Sequence, residues 1–275
     1  MRIDLHTHSN RSDGTDTPTE LVENAKAAGL DVVALTDHDT TVGWDEAEVA
    51  AERVGIRLVK GIEISSSIDH KSVHLLGYEF DPTDEPLLKE LGKVLDGRNG
   101  RVPKIVAAFQ RIGIEITEEE IVAKSGGAEA TGRPHVADVL IDKGVVADRG
   151  EAFDNYLSPG KPGYVGRYAA QTQEAISLIK AAGGKAVLAH PWSRGSDAVL
   201  TAERIAELVE LGLDGLEVDH ADHTDEDRES LLKIAGDLDL VVTGSSDYHG
   251  TGKGPEFGLG TSTTHPDQLE RLLGI

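Results

Sequence analysis

The chain contains no cysteine. Disulfides and thiolate metal sites are therefore excluded, and any bound metal must be held by nitrogen and oxygen. The absence fits a reducing cytoplasm, which is the expected location. Aromatic residues are also scarce: they make up 4% of the chain, against 39% hydrophobic residues in all, so the core must be aliphatic. No apolar run approaches the ~20 residues needed to span a bilayer. The N-terminus lacks a basic region followed by an apolar segment, so neither a membrane anchor nor a signal peptide is expected. Positive charge is in short supply, with 27 Lys and Arg against 49 Asp and Glu, for a net charge of −22. That balance argues against a broad surface for duplex nucleic acid or anionic membrane. A phosphorylated substrate is still compatible with it, because bound cations invert the field within a site. Much of the acid falls in runs such as Asp45-Glu46-Ala47-Glu48 and Thr117-Glu118-Glu119-Glu120, which suit solvated helix faces. Nothing in the composition addresses oligomeric state.

What is present is a rhythm of strands and helices. Ile3–His8 reads as a strand. Thr17-Pro18-Thr19-Glu20 then opens a helix, with Thr17 as N-cap, Pro18 in the first turn and Glu20 completing a capping box. Asp31–Thr36 is an almost continuous apolar strand suited to burial on both faces. Trp44–Val54 reads as helix, and Arg57–Ser65 and Lys71–Phe80 as strands. The rhythm breaks from Asp84 to about Lys161, where helical patterns at Leu87–Leu95, Val102–Ile112, Thr117–Lys124, His135–Lys143 and Glu151–Leu157 form an insertion or cap. It resumes with helix Gln173–Ala182, strand Lys185–Ala189, helix Thr201–Leu211, strand Gly215–Val218, helix Glu226–Leu238 and strand Leu240–Thr243. This order predicts an α/β fold with a parallel sheet: residues 1–83 and 162–275 form the sheet-bearing part, and residues 84–161 a helical insertion. Seven visible strands approach the eight of a regular α/β barrel, a fold that places chemistry at the C-terminal ends of its strands.

Those ends carry residues suited to metal binding. The first strand supplies His6 and His8, whose i, i+2 spacing puts two imidazoles on one face, followed by Asp13 on the turn. The second ends in Thr36-Asp37-His38-Asp39. The third carries Glu63, the fourth His74, and the fifth ends in His190-Pro191. The sixth ends in Glu217-Val218-Asp219-His220, and the seventh in Ser246-Asp247-Tyr248-His249. Any one of these has a plain structural explanation as a helix cap or a hydrogen-bonded core histidine. Coincidence at every strand end does not. His6, His8, Asp13, His38, Glu63, His74, His190, Asp247 and His249 are too many ligands for one divalent ion. They suit a cluster of two or three ions that share a bridging carboxylate.

The order His-x-His, Asp13, Thr-Asp-His-Asp, Gly-Ile-Glu, a lone histidine, His-Pro and Ser-Asp-x-His-Gly resembles the polymerase and histidinol phosphatase (PHP) family of metal-dependent phosphoesterases. The resemblance runs from residue 1 to about 250. It implies a distorted seven-stranded (β/α)7 barrel with a trinuclear centre. His6, His8, Glu63 and Asp247 would hold one metal, and Asp13, His38 and His249 a second. Glu63 would bridge to a third, completed by His74 and His190. Family members that act on histidinol phosphate often have histidine where this chain has Asp13, which points away from that substrate. His/carboxylate sites accept Mn²⁺, Fe²⁺ or Zn²⁺, and two or three divalent ions are expected, with Mn²⁺ first among them.

In the insertion, Gly132-Arg133-Pro134-His135, Tyr156-Leu157 and Gly160-Lys161-Pro162-Gly163-Tyr164 resemble the cap of PHP phosphatases acting on nucleoside 3′,5′-bisphosphates, some relatives of which trim short RNA from the 5′ end. Arg133 and His135 suit phosphate, as a bidentate guanidinium and a hydrogen-bonding imidazole. Lys161, Tyr164 and His223 are further candidate substrate contacts. Trp192 is open to base stacking or to packing. The expected chemistry is phosphomonoester hydrolysis by a metal-activated hydroxide, with Asp13, His38, His249 and Arg133 as the catalytic set and a small phosphorylated nucleotide or short oligonucleotide as substrate. The alternatives are 5′→3′ exoribonuclease action on short RNA, another phosphatase or cyclic phosphodiesterase, and, from a different class, a non-catalytic metal-binding scaffold.

Overall fold

A computed structural model describes residues 1–274. Its strands are β1 (Ile3–Asp4), β2 (Val32–Leu35), β3 (Arg57–Ile68), β4 (Lys71–Tyr78), β5 (Ala170–Gln171), β6 (Lys185–Ala189), β7 (Gly215–Asp219) and β8 (Val241–Gly244). The helices that alternate with them are α1 (Pro18–Ala27), α2 (Trp44–Val54), α8 (Thr172–Ala181), α9 (Ala202–Val209), α10 (Asp225–Asp237) and a C-terminal α11 (Pro266–Leu273). The insertion contributes α3 (Glu85–Asn99), α4 (Val102–Arg111), α5 (Glu118–Ser125), α6 (Arg133–Asp142), α7 (Arg149–Ala152) and a π-helical turn at Phe153–Leu157. No helix among the described residues is long and apolar enough to cross a membrane.

The sheet runs in the order β1-β2-β3-β4-β6-β7-β8, with β5 beside β3, and it is a nearly closed barrel of seven strands. Thr7 and Tyr248 form a parallel bridge across the seam, and the His8 N–H donates to the Tyr248 carbonyl at 2.8 Å. The buried Asp4 carboxylate pins the seam further by accepting from the backbone N–H groups of Ser246 (3.0 Å) and Gly260 (2.9 Å).

The sheet departs from the all-parallel expectation at β4, which is antiparallel to both β3 and β6. The cause is local. β3 and β4 pair up to Ile68 with Lys71, leaving a two-residue turn in which Asp69 (φ 48°) and His70 (φ 65°) both adopt left-handed conformations. A turn of that length makes a hairpin, whereas a parallel crossover needs roughly a dozen residues. The reversal has a consequence for the site. His74 lies in the first half of β4, at the barrel end where the parallel strands finish.

Period-2 alternation sorts the apolar side chains. Val32, Ala34, Leu76, Tyr78, Val187 and Ala189 fill the barrel interior, where Leu269 and Leu272 of α11 join them. Val33, Leu35, Leu75, Ala186 and Leu188 face outward into the layer of surrounding helices. Leu87, Leu91 and Val94 of α3 pack into that same outer layer, while Val102 to Leu157 supply a separate core inside the insertion. The Thr17 capping box on α1 forms as the sequence predicts.

Candidate active site

The barrel end brings all nine predicted ligands together. Glu63, almost fully buried on β3, stands at the middle and divides its two oxygens. Its Oε2 lies 3.4 Å from His6 Nε2, 3.1 Å from His8 Nε2 and 3.0 Å from His38 Nδ1. Its Oε1 lies 2.6 Å from His74 Nδ1 and 3.2 Å from His190 Nε2. Asp247 faces the same histidine pair, with Oδ1 3.5 Å from His6 Nε2 and 3.3 Å from His8 Nε2. Asp13, on the turn after β1, lies 3.6 Å from His38 Nε2 and 3.3 Å from His249 Nε2.

Four ligand groups have donor atoms that all lie within 4.8 Å of one another: His8-Asp13-His38-His249, His6-His190-Asp247, His6-His8-Glu63 and His38-Glu63-His74. The grouping differs in detail from the family-derived one. His8 also sits with the Asp13 set, and His190 with His6 and Asp247.

The residues fit metal ions on several counts. The Nε2 atoms of His6 and His8 face each other at 3.1 Å. Asp247 Oδ1 and His38 Nδ1 are buried without a hydrogen-bond partner, although other site atoms crowd them. Buried polar atoms left in that state are costly unless a ligand satisfies them. The other nitrogen of most rings is turned outward. His6 Nδ1 meets Glu217 Oε1 at 3.1 Å, and His190 Nδ1 meets Ser193 Oγ at 2.9 Å. His8 Nδ1 meets Ser12 Oγ at 3.4 Å, and His249 Nδ1 meets the Asp247 carbonyl at 2.8 Å. Nδ1–H donated outward leaves the Nε2 lone pair for a metal.

The crowding also displaces the titration of these groups in both directions. Burial opposes ionisation of His8, yet Asp247 and Glu63 push it up to about 9. Burial, together with His8 and Lys253, brings His249 down to about 3. Burial would raise Glu63, Asp13 and Asp247, but the surrounding cationic side chains hold all three well below the carboxylate range. Backbone strain collects here too. Asp39 (φ 59°), His190 (φ 29°) and Asp247 (φ 51°) occupy the positive-φ region that such residues rarely adopt, and such outliers cluster at functional sites.

The cap contributes less uniformly. Arg133 opens α6, donates to the Leu157 carbonyl at 3.0 Å, and lies over the Phe153 and Tyr164 rings at 5.2 and 5.7 Å. The buried His135 accepts the Gly132 N–H through Nδ1 at 3.0 Å, so its neutral ring carries the proton on Nε2 as a donor. Lys161 is exposed on the Ser158–Gly163 turn, and its ammonium makes no hydrogen bond or ion pair among the described residues.

His223, expected as a substrate contact, is held by the backbone. Its Nδ1 lies 2.9 Å from the Val218 carbonyl and its Nε2 accepts the Trp192 N–H at 3.3 Å, so both nitrogens are engaged by backbone. Trp192 packs on the core, with its indole N–H on the Leu200 carbonyl.

Four residues outside the predicted site set are also placed here by the structure. Glu217 braces His6. The fully buried His220 lies 3.3 Å from Asp247 Oδ2, and Lys253 contacts the same oxygen. Arg149 of α7 binds Asp138 and donates to the Asp13 carbonyl at 3.0 Å, which ties the cap to the ligand turn. Of these, only Glu217 and His220 carried a readable signal, as polar residues at the end of an apolar strand.

Clustered imidazoles and carboxylates at one end of a β/α barrel define a metal-dependent hydrolase. The sequence profile of the PHP domain matches residues 4–122. The chain belongs to the PHP family of metal-dependent phosphoesterases. It is 36% identical to a 3′,5′-nucleoside bisphosphate phosphatase of Chromobacterium violaceum, over 92% of this chain and 88% of that one. It is 38% identical to a 5′-3′ exoribonuclease of Haemophilus influenzae, over 90% of each. Among solved structures, a candidate metal-dependent phosphoesterase from Bifidobacterium adolescentis superposes with a TM-score of 0.93 at 39% identity, covering 99% of this chain and 95% of that one.

Proposed function

We propose that this phosphoesterase removes the 3′-phosphate of nucleoside 3′,5′-bisphosphates, leaving the nucleoside 5′-monophosphate. The observation that carries the reading is Glu63 splitting its two oxygens between two sets of histidines at the barrel end. His6, His8, Asp13, His38, Glu63, His74, His190, Asp247 and His249 would hold two or three divalent ions, with Mn²⁺ the expected one and Fe²⁺ or Zn²⁺ also suited to the donor set. When bound, such ions supply charge neutralisation at phosphorus and a water of lowered pKa.

The chain's own groups do the rest. Glu217, Ser193 and Ser12 hold the imidazoles in the tautomer that ligates. Arg133, tethered to the Leu157 carbonyl, offers its free N–H groups to the non-bridging phosphate oxygens. His135 presents Nε2–H to the same anion. The helical insertion acts as the substrate-binding cap, with Tyr164 at its rim.

Action on short RNA from the 5′ end is the second reading. It is favoured by the Haemophilus relative and uses the same bond cleavage on a longer substrate. Phosphate release from adenosine 3′,5′-bisphosphate by Mn²⁺-loaded protein tests the first reading. No release there, with mononucleotides released from a 5′-phosphorylated oligoribonucleotide, would establish the second in its place.

A further inference from the structure

The cap touches the barrel at the turns that carry one particular donor group. Of the clustered ligands His8, Asp13, His38 and His249, three stand on such turns. Thr40, two residues after His38, donates its hydroxyl to Glu129 of the insertion, and Asp39 accepts from Arg98 Nε at 2.9 Å. Asp13 and the turn after His249 meet a single cap side chain, Arg149 of α7. By contrast, Glu63 and His74 stand within β3 and β4, where the sheet ladder fixes their backbone.

The Arg149 side chain is 14% exposed. Its Nε and Nη2 reach Oδ1 and Oδ2 of Asp138 on α6, each at 2.7 Å, and this bidentate pair fixes the plane of the guanidinium. Nη1 is left to face the barrel, where it donates to the Asp13 carbonyl at 3.0 Å. Burial opposes the charge on Arg149, yet Asp138, with Asp13, keeps its pKa above the usual arginine value.

The third contact is with Gly252, in the 3₁₀ turn Gly250–Gly252 that directly follows His249. A Cβ there would overlap Nη1 and lie 3.0 Å from Cζ, so the turn comes this close only because it has no side chain. The two turns are also stitched to each other. The Thr15 N–H donates to the His249 carbonyl at 3.2 Å, and the Thr251 N–H to Thr15 Oγ1 at 2.9 Å. One guanidinium thus links α6, which carries Arg133 and His135, to two turns whose ligands share a donor group.

We propose that Arg149 is a positioning residue that couples the seating of the cap to the metal held by Asp13 and His249. The carbonyl it holds belongs to a ligand residue, so losing the contact frees the Asp13 turn to shift. Linked equilibria are reciprocal: metal at this group stabilises the docked cap, and an undocked cap weakens that metal. The inference rests on the metal-holding role of the donor cluster and goes beyond it. It does not depend on which phosphate ester is cleaved.

The test measures Mn²⁺ binding to metal-free wild type, Arg149→Met, Gly252→Ala and the double variant by calorimetry. Arg149→Met is expected to weaken one class of Mn²⁺ site about 10-fold or more and to leave the others unchanged. Gly252→Ala keeps every charge but pushes Nη1 off the turn, so it should reproduce that loss. Added to Arg149→Met it should cost nothing further, because the atoms it meets are gone. Additive losses show that Gly252 acts through its own loop, and they overturn the proposal. Gly252→Ala, which keeps the Arg149–Asp138 pair, carries the test if Arg149→Met unfolds, and an unchanged affinity in it is enough to overturn the coupling.

Amide hydrogen exchange supplies the reciprocal readout. Mn²⁺ should slow exchange in α6 and α7 of wild type by about 10-fold, and this protection should vanish in Arg149→Met. Equal Mn²⁺ affinity, or equal metal-dependent protection, in wild type and Arg149→Met removes the coupling whatever the activity. If wild type hydrolyses neither adenosine 3′,5′-bisphosphate nor a 5′-phosphorylated oligoribonucleotide, but Arg149→Met still loses Mn²⁺ affinity, the substrate reading falls and the coupling stands.

Discussion

Glu217→Gln tests whether the barrel's outer carboxylates set the metal affinity of the inner histidines. Glu217 is fully buried, with Oε1 and Oε2 at 3.1 and 3.3 Å from His6 Nδ1, and Oε2 also accepts the His190 N–H at 2.8 Å. Burial alone would raise its pKa, but His6, His220 and His190 bring it down to about 2, so it is an anion at working pH. Glutamine keeps the volume and removes the charge. It also offers one acceptor oxygen where two served His6 and His190. If the amide NH₂ turns toward His6, the ring must accept through Nδ1, which moves its proton to Nε2 and into the space shared with Glu63 and Asp247. A lost charge-assisted bond is worth about 1.5–3 kcal/mol, or roughly 10- to 150-fold. Outer carboxylate partners of ligating histidines typically change metal affinity by about 10- to 100-fold. The expected result is therefore a 10- to 100-fold rise, by order of magnitude, in the free Mn²⁺ needed for half-maximal phosphate release, with most of the turnover recovered at saturating metal. Metal-buffered titration of activity, paired with elemental analysis after dialysis, reads both quantities. An unchanged midpoint in a variant that folds normally would refute the idea that Glu217 acts through His6.

Asp13→Ala and His249→Ala remove ligands from one donor group and should each lower turnover on the order of 10³-fold or more, while the circular dichroism spectrum stays native. Survival of activity in both would sink the catalytic assignment. Arg98→Met strands the buried Asp39 carboxylate with only Ser65 as a hydrogen-bonding partner. Breaking a buried pair costs about 3–5 kcal/mol, and relief of repulsion from Arg101 and Arg167 moves the expectation toward the lower figure. A Tm drop of roughly 6–12 °C in thermal melts follows, and a drop under about 2 °C would contradict it. Chelation of metal should abolish phosphate release and lower the Tm. Adding back Mn²⁺ at a hundred times its Kd should restore about 2.7 kcal/mol of stability, and a melting curve indifferent to metal would contradict the fit of the site.

Most of the secondary structure was legible in the chain. Trp44–Val54 and Lys185–Ala189 coincide with the helix and strand observed, and the remaining predicted elements shift mainly at their ends. Their signals are local: a capping box at Thr17, apolar runs in the strands, and 3.6-residue periodicity in the cap. The antiparallel β4 was not foreseen, although the short gap between its strand and the preceding one cannot hold a crossover and could have signalled it. The strand β5 has two residues and its pairing with β3 has no sequence signature. The C-terminal helix α11 was passed over as well.

The metal-type residues are likewise a property of the sequence. They fall at strand ends, and a barrel gathers strand ends whatever the details of packing. What only the tertiary structure decided is how those residues are supported and roofed. His6 and Glu217 are 211 positions apart, and no spacing rule links them. The engagement of both His223 nitrogens by backbone, the positive φ at His190 and Asp247, and the pairing of Arg98 with Asp39 arise the same way, from segments brought together by the closed sheet and the docked cap. Periodicity and capping act over a few residues and can be read along the chain. A tautomer, a buried counter-charge or its absence depends on what lies across the fold, and that is settled only when the barrel closes.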